Sequence, residues 1–194
     1  MPYLITSAIA ERSLAQSDQP SIRVSDTAVL RPWQLSDADP LILAFEDPAI
    51  QRWHTRRLDS VDEAHVLIAK WSAGWSTERE CHWALITEDS QALLGRVALK
   101  QLDLLDGSAG FAYWMVPAAR GRGLCADAVV ALSEWAFRDA GFRRIEIEHS
   151  TANPASCQVA RKAGFTVEGV RRGAAQHTDG WHDMCMHGRL ATDP

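Results

Sequence analysis

Val116-Pro117-Ala118-Ala119-Arg120-Gly121-Arg122-Gly123-Leu124-Cys125-Ala126 is the stretch from which the fold of this 194-residue chain can be read. An aromatic, strand-like run, Phe111-Ala112-Tyr113-Trp114-Met115-Val116, leads into it, and an amphipathic segment leads out. Two glycines at a strand-to-helix junction let the backbone turn sharply and leave several N–H groups facing outward. Those donors and the positive end of the helix dipole form an anion site suited to a phosphate or pyrophosphate.

Downstream, the spacing predicts a helix over 124–140, with Leu124, Ala128, Leu132, Trp135 and Ala136 on one face and Gly141 closing it. Arg144 to His149 alternates cleanly and reads as a strand. Strand, glycine loop, helix, strand is a βαβ unit, so the two strands are expected to be parallel with a right-handed crossover. A short helix, Pro154 to Ala163, follows behind Asn153 as N-cap and stops at Gly164. A strand from Phe165, a turn at Thr178-Asp179-Gly180 and a strand from Trp181 to Leu190 complete the chain.

Upstream, His82–Thr87, Leu93–Leu99 and Gly110–Val116 are strand runs separated by polar turns, which reads as an antiparallel meander. Ser36, with acids behind it, predicts the N-cap of a helix to about Phe45, and Ser60 opens a second helix to about Trp75. Between these helices Gln51 to Arg57 reads as a polar and aromatic loop, which either touches substrate or is a surface connection. Ser21 to Gln34 fits a hairpin or a bent first strand. Residues 1–20 carry no sustained period and read as an N-terminal arm or a segment swapped into a dimer partner. The division is therefore an arm, one domain over 21–190, and a tail over 191–194.

Bulk properties narrow the class. The chain is 46% hydrophobic and 23% charged, as a globular domain is, and its net charge of -5 gives no broad attraction to nucleic acid. No apolar run reaches the roughly 18 residues of a membrane helix, and no secretory signal is visible. Cys81, Cys125, Cys157 and Cys185 form no C-x-x-C pair, which predicts neither a metal site nor a disulfide framework and fits a cytoplasmic location. The eight tryptophans are assigned to packing, with a few left to line an acceptor pocket.

With these elements in order, Arg120-Gly121-Arg122-Gly123-Leu124-Cys125 resembles the Q/R-x-x-G-x-G/A pyrophosphate loop of the GNAT superfamily of N-acetyltransferases, with Cys125 standing where glycine or alanine is usual. Asn153 to Phe165 resembles the N-x-x-S-x-x-V-x-x-K-x-G-F segment of the ribosomal-protein (alanine/serine) N-acetyltransferase-like branch. Leu30-Arg31-Pro32-Trp33 is similar to that branch's opening. The resemblance spans roughly residues 21–190 and implies a mixed α/β (α+β) fold. Its mostly antiparallel sheet would carry one parallel pair splayed at the cofactor site, with helices on both faces.

The resemblance further implies acetyl-CoA as cofactor and direct attack by a primary amine, either a protein N-terminus or a small molecule. It implies Met115, Val116, Arg120, Gly121, Arg122, Gly123, Leu124, Cys125, Asn153, Ser156 and Arg161 as cofactor-binding residues, with a backbone N–H near Val116 polarising the thioester carbonyl. Ser156 is the implied proton donor to the departing thiolate. The base is less determined, because Gly110 occupies a strand position where many relatives carry glutamate. Glu148 is the first choice, with His149, His54, His82, His177, Asp183 or a water chain as alternatives. Other readings are a bulkier donor such as succinyl-CoA, met by Arg52, Arg56 and Arg57, or a non-catalytic CoA sensor. Homodimerisation is also compatible.

Overall fold

The computed structural model describes residues 4–194. Its central strand, β3 (Glu80–Thr87), is buried along nearly all its length, because alternate residues are apolar on both faces. Trp83 and Leu85 enter one core and Ala84 and Ile86 the other, so a layer of helices covers each side of the sheet. The remaining strands are β1 (Ile22–Arg23), β2 (Ala28–Pro32), β4 (Leu93–Asp103), β5 (Ser108–Met115), β6 (Arg144–Ser150), β7 (Thr166–His177) and β8 (Gly180–Leu190). They form one sheet in the order β1-β2-β3-β4-β5-β6-β8-β7. Neighbours are antiparallel except β5 and β6, which run parallel as the βαβ reading requires.

The helices are α1 (Ala38–Phe45), α2 (Pro48–His54), α3 (Val61–Ser76), α4 (Leu124–Arg138) and α5 (Pro154–Lys162). Leu132, Val129 and Ala136 of α4 pack with Ile145, Ile147 and Phe111. On the opposite face Leu41, Ile68 and Trp71 pack with Trp33 and Trp114. Most of the tryptophans do serve packing: Trp75, Trp83 and Trp135 form one group and Trp33, Trp71 and Trp114 another. No helix among the described residues is long and apolar enough to cross a membrane.

Two sequence expectations change here. Ser36 does not cap α1. A 3-10 turn over Leu35–Asp37 precedes that helix, and the buried Asp37 carboxylate accepts two bonds from Arg31, at 2.8 and 2.7 Å, and one from the Gln34 N–H. The second change is larger. The first part of the run Gln51 to Arg57 is helix and only Thr55 to Arg57 is loop, because Pro48–His54 is helical, with Asp47 accepting from the Ile50 N–H at 3.0 Å and Pro48 in the first turn. Asp-Pro is a standard helix opening, and it was legible in the sequence.

The described part of the N-terminal arm packs on its own domain. Ala8 and Ile9 donate to the Leu105 and Leu104 carbonyls, and Ile9 and Leu14 are buried in the main core. Glu78, itself 9% exposed, receives the N–H groups of Arg12, Leu14 and Ala15 at 2.6, 2.8 and 3.2 Å. Trp75 and Trp83 donate their indole N–H groups to Ser17 and Pro20 carbonyls. One carboxylate thus satisfies three backbone donors that burial would otherwise leave without partners. Charge-assisted bonds of this kind contribute about 2 kcal/mol. Glu78→Ala is therefore expected to lower stability by about 2 kcal/mol or more, measured by urea unfolding, and to make the arm the first site of cleavage in limited proteolysis. An unchanged midpoint with a protected arm would show that Glu78 does not hold it.

Candidate active site

The site begins where β5 and β6 part. Their parallel pairing runs from Ser108↔Arg144 to Phe111↔Ile147 and goes no further, although β5 continues to Met115 and β6 to Ser150. Each strand stays bonded to its other neighbour: β5 to β4 as far as Gly95↔Met115, and β6 to β8 as far as Ser150↔Met184. Backbone groups alternate along a strand. The Val116 N–H bonds the Leu94 carbonyl on the β4 side, so the N–H and C=O groups of Tyr113 and Met115 face the gap. Side chains take two of these carbonyls. His54 Nε2 lies 3.2 Å from the Tyr113 oxygen, and Arg120 Nε donates to the Met115 oxygen at 3.0 Å.

A cavity of about 470 Å³ fills the space around this open edge. Of the residues that the resemblance assigns to the cofactor, Met115, Arg120, Gly121, Gly123, Leu124, Cys125, Asn153 and Ser156 line it. Gly121 and Gly123 have φ of 75° and 80°, the left-handed region that side chains disfavour. Gly123 is the N-cap residue of α4, so the first N–H groups of that helix point outward. Nothing lies within 4 Å of a Cβ built on Gly121. The loop is therefore a concave row of donors with room before it, which suits a pyrophosphate. Burial pushes the Cys125 thiol up to about 12, so it stays neutral and serves as a small, uncharged residue there.

Other expected residues lie elsewhere. Val116 uses its N–H in the bond to Leu94, so the free N–H groups at the gap belong to Tyr113 and Met115 instead. Arg122 and Arg161 are exposed and line no part of the cavity, whereas Lys162 does. Arg120 lines it but is engaged: its Nη2 is 2.6 Å from Asp47 Oδ1. Asp47, held below the usual carboxylate range by that bond, also caps α2. One ion pair therefore ties the pyrophosphate-type loop to the helix that forms the opposite wall.

Glu148 is exposed, bonded to Arg171 at 3.1 Å, and absent from the cavity lining. His149 is buried on the α5 side of the sheet, with Nε2 3.0 Å from His187 Nε2. The Cys157 thiol joins that pair, all three ligand atoms lying within 4.8 Å of one another, a grouping across β6, α5 and β8 that sequence spacing conceals. His177 and His182 lie with ring centroids 4.6 Å apart, tilted by 44°, near Trp53, and Asp183 accepts from the Gly173 N–H. Arg52 and Arg57 are paired with Asp179 and Asp59.

Two chemically apt groups do reach the cavity. Tyr113 Oη is 2.8 Å from Ser156 Oγ, and burial raises the phenol above its ordinary value, so it stays protonated. The Asn153 side chain accepts from the Ser156 N–H and fixes the start of α5. His54, at the end of α2, is lowered to about 4, mainly by burial and then by Arg96; it is neutral at physiological pH. Because its Nε2 must donate to the Tyr113 carbonyl, its Nδ1 carries the lone pair. Helix α2 had been read as a loop, which hid the position of His54. Tyr113 had been quoted only as part of a strand.

A parted parallel pair, a donor-rich loop at a helix start and proton-carrying side chains at the open edge define an enzyme site for an acyl-carrying phosphorylated cofactor. The comparisons agree. The acetyltransferase (GNAT) domain family matches residues 28–166, and the chain belongs to that family: it is an acetyltransferase that uses acetyl-CoA. It is 24% identical over 149 residues, covering 76% of this chain and 84% of the other, to the uncharacterised N-acetyltransferase YoaA of Bacillus subtilis (strain 168). It is 29% identical over 98 residues, covering 50% and 55%, to the ribosomal-protein-serine acetyltransferase of Escherichia coli (strain K12). The RimL ribosomal L7/L12 alpha-N-protein acetyltransferase superposes with a TM-score of 0.81 at 21% identity, covering 94% of this chain and 99% of that one.

The Asp47–Arg120 pair makes a testable link between loop and wall. Asp47→Ala is expected to raise the KM for acetyl-CoA roughly tenfold, about 1.4 kcal/mol, with a smaller effect on kcat. An unchanged KM would mean that the loop holds its shape without the tie.

Proposed function

We propose that this protein transfers the acetyl group of acetyl-CoA directly to a primary amine, on a protein N-terminus or a small molecule, with no covalent enzyme intermediate. The observation that carries this reading is the open edge at Tyr113 and Met115, which has His54 on one side and the Tyr113–Ser156 hydroxyl pair on the other. The Gly121–Cys125 backbone would hold the pyrophosphate, and the Met115 N–H would bond the pantetheine arm or polarise the thioester carbonyl. Acetyl-CoA supplies an activated acyl carbon and a thiolate leaving group.

Two proton tasks fall to the protein. Once nitrogen has attacked a carbonyl, its remaining proton is far more acidic than that of a free ammonium, so a weak base can take it. The His54 Nδ1 lone pair, on a neutral ring, suits that role. The departing thiolate needs a proton, and Ser156 Oγ with Tyr113 Oη behind it forms a relay that can deliver one. His54 stands in place of Glu148, whose carboxylate is engaged by Arg171. The four unpaired cysteines suit a reducing cytoplasm.

Two experiments test these assignments. Ser156→Ala and Tyr113→Phe should each lower kcat by about 100-fold. The double variant should be little worse than either, because the two hydroxyls act as one unit. Fully additive losses would sink the relay.

The pH profile tests His54. It is lowered by burial and by Arg96 and Lys100 of β4 and Arg56 beyond α2, and raised by the Tyr113 carbonyl. Its working form is neutral and exists above about 4. With an α-amine acceptor, kcat/KM should therefore rise only as the acceptor loses its proton near pH 8. A limb near 6.5 that disappears in His54→Gln would mean that the imidazole titrates freely and is not buried as described.

A further inference from the structure

A second cavity, of about 130 Å³, lies on the α1 and α3 side of the sheet, and His54 lines both it and the larger one. Arg96 projects into it from β4 and is only 5% exposed. Its Nε donates to His82 Nδ1 at 3.0 Å, and its guanidinium lies 4.9 Å from the Trp71 ring centroid. Among the described residues no carboxylate comes within 4.0 Å of it, unlike Arg31, which is buried against Asp37. Glu80 is the one acid whose charge favours the guanidinium, and it makes no close ion pair with it; a buried guanidinium without a close counter-ion is costly.

The walls around Arg96 add to its charge. Arg56, Lys70 and Lys100 line the same space, and Glu80 is the lone acid there. Glu80 is already engaged, 3.2 Å from His82 Nε2 and 4.0 Å from Lys100 Nζ. From β5 only Ala112 reaches the cavity, so that strand brings no balancing group. His54 lines both cavities, so this positive space adjoins the imidazole proposed above as the base.

We propose that this cavity is an anion subsite of the acceptor site, and that the acceptor is an amine bearing a nearby carboxylate, seated against Arg96. The location of the amine rests on the acetyl-transfer reading; the demand for an anion does not. The same positive field bears on His54 and Lys100, both of which are lowered first by burial and then by Arg96. A carboxylate placed among these cations would cancel part of that field and make His54 a stronger base when the right acceptor is bound. Acceptor recognition and proton removal would then be coupled through charge alone.

The test compares matched acceptors that differ by one charge. One arm uses peptides with an acidic second residue against the same peptides carrying its amide. The other uses free amino acids against their amides, which separates a protein N-terminus from a small-molecule acceptor. A preference of about tenfold or more in kcat/KM for the carboxylate member in either arm, reduced to near unity in Arg96→Met and weakened in Lys100→Met, is the expected result. Lys100 sits half-exposed on the rim, so its variant serves if the first does not fold.

A separate measurement uses succinate, an anion without an amine, and follows thermal unfolding. It should raise the midpoint of the wild type and not that of the Arg96 or Lys100 variant. Equal turnover of the matched pairs with no succinate effect would overturn the subsite and leave acetyl transfer standing. A succinate effect with no amine acetylated would support the subsite and overturn the transfer reading.

Discussion

The parting of β5 from β6 is the constraint on which the rest of this molecule depends. A parallel pair that stopped because one strand ended would leave only a frayed corner. Here neither strand ends: β4 holds β5 and β8 holds β6 past the last shared pair. Gly95 contributes, because any Cβ there would collide with the Trp114 carbonyl, so only glycine lets β4 follow β5 that closely. The result is a rigid opening whose Tyr113 and Met115 backbone groups have no ladder partner. In a buried sheet such groups need partners. His54 and Arg120 satisfy two carbonyls, and an extended pantetheine arm is a natural partner for the free N–H groups.

The two sides of this opening use opposite electrostatic means. On the donor side the anion site is built from backbone N–H groups, and its most prominent cation, Arg120, is neutralised by Asp47. On the proposed acceptor side the charge is carried by side chains, with Arg96 held under α3 and, among the described residues, no carboxylate within 4.0 Å of it. Fixed backbone donors cost no reorganisation when a phosphate arrives. Buried side-chain cations are costly until an anion arrives, which favours selection between acceptors over affinity for one donor. The net charge of -5 gives no hint of this division, because it sums every charge of the chain wherever it lies.

What the sequence revealed follows the same division. The meander, the βαβ unit, α4 and α5 were readable because their periods are long and their glycines fall at turns the backbone requires, as at Gly123 and Gly141. The shape of the glycine loop was readable because it lies in consecutive residues, with Gly121 and Gly123 at positive φ before α4. The acceptor side was not, because its parts come from distant segments: Arg56 after α2, Trp71 on α3, His82 on β3 and Arg96 on β4. A register of His82↔Ala98 and Ala84↔Arg96 is needed to bring them together, and no local pattern encodes it. Helix α2 is a different case. Its Asp47-Pro48 opening was present in the sequence, but seven residues are too few for a period to assert itself over a polar, aromatic composition.

Helix α2 bridges the opening. At its start Asp47, with a side chain only 14% exposed, binds Arg120 of the donor loop. At its end the exposed Arg52 binds Asp179 at the tip of the β7–β8 hairpin, and Trp53 packs against His177 and His182 of the same hairpin. Thr55 closes the helix at a φ of 49°, a conformation that a β-branched residue adopts only at some cost. The two attachments differ in strength: the half-buried one is shielded from solvent, whereas an exposed pair such as Arg52–Asp179 contributes at most about 1 kcal/mol. His54 lies at the weakly held end. The start of α2 is tied to the glycine loop by a shielded ion pair, whereas its end is held by an exposed pair, an aromatic contact and the bond from His54 to the Tyr113 carbonyl. The exposed tie is the one that salt screens, so the two ends of the helix depend unequally on ionic strength.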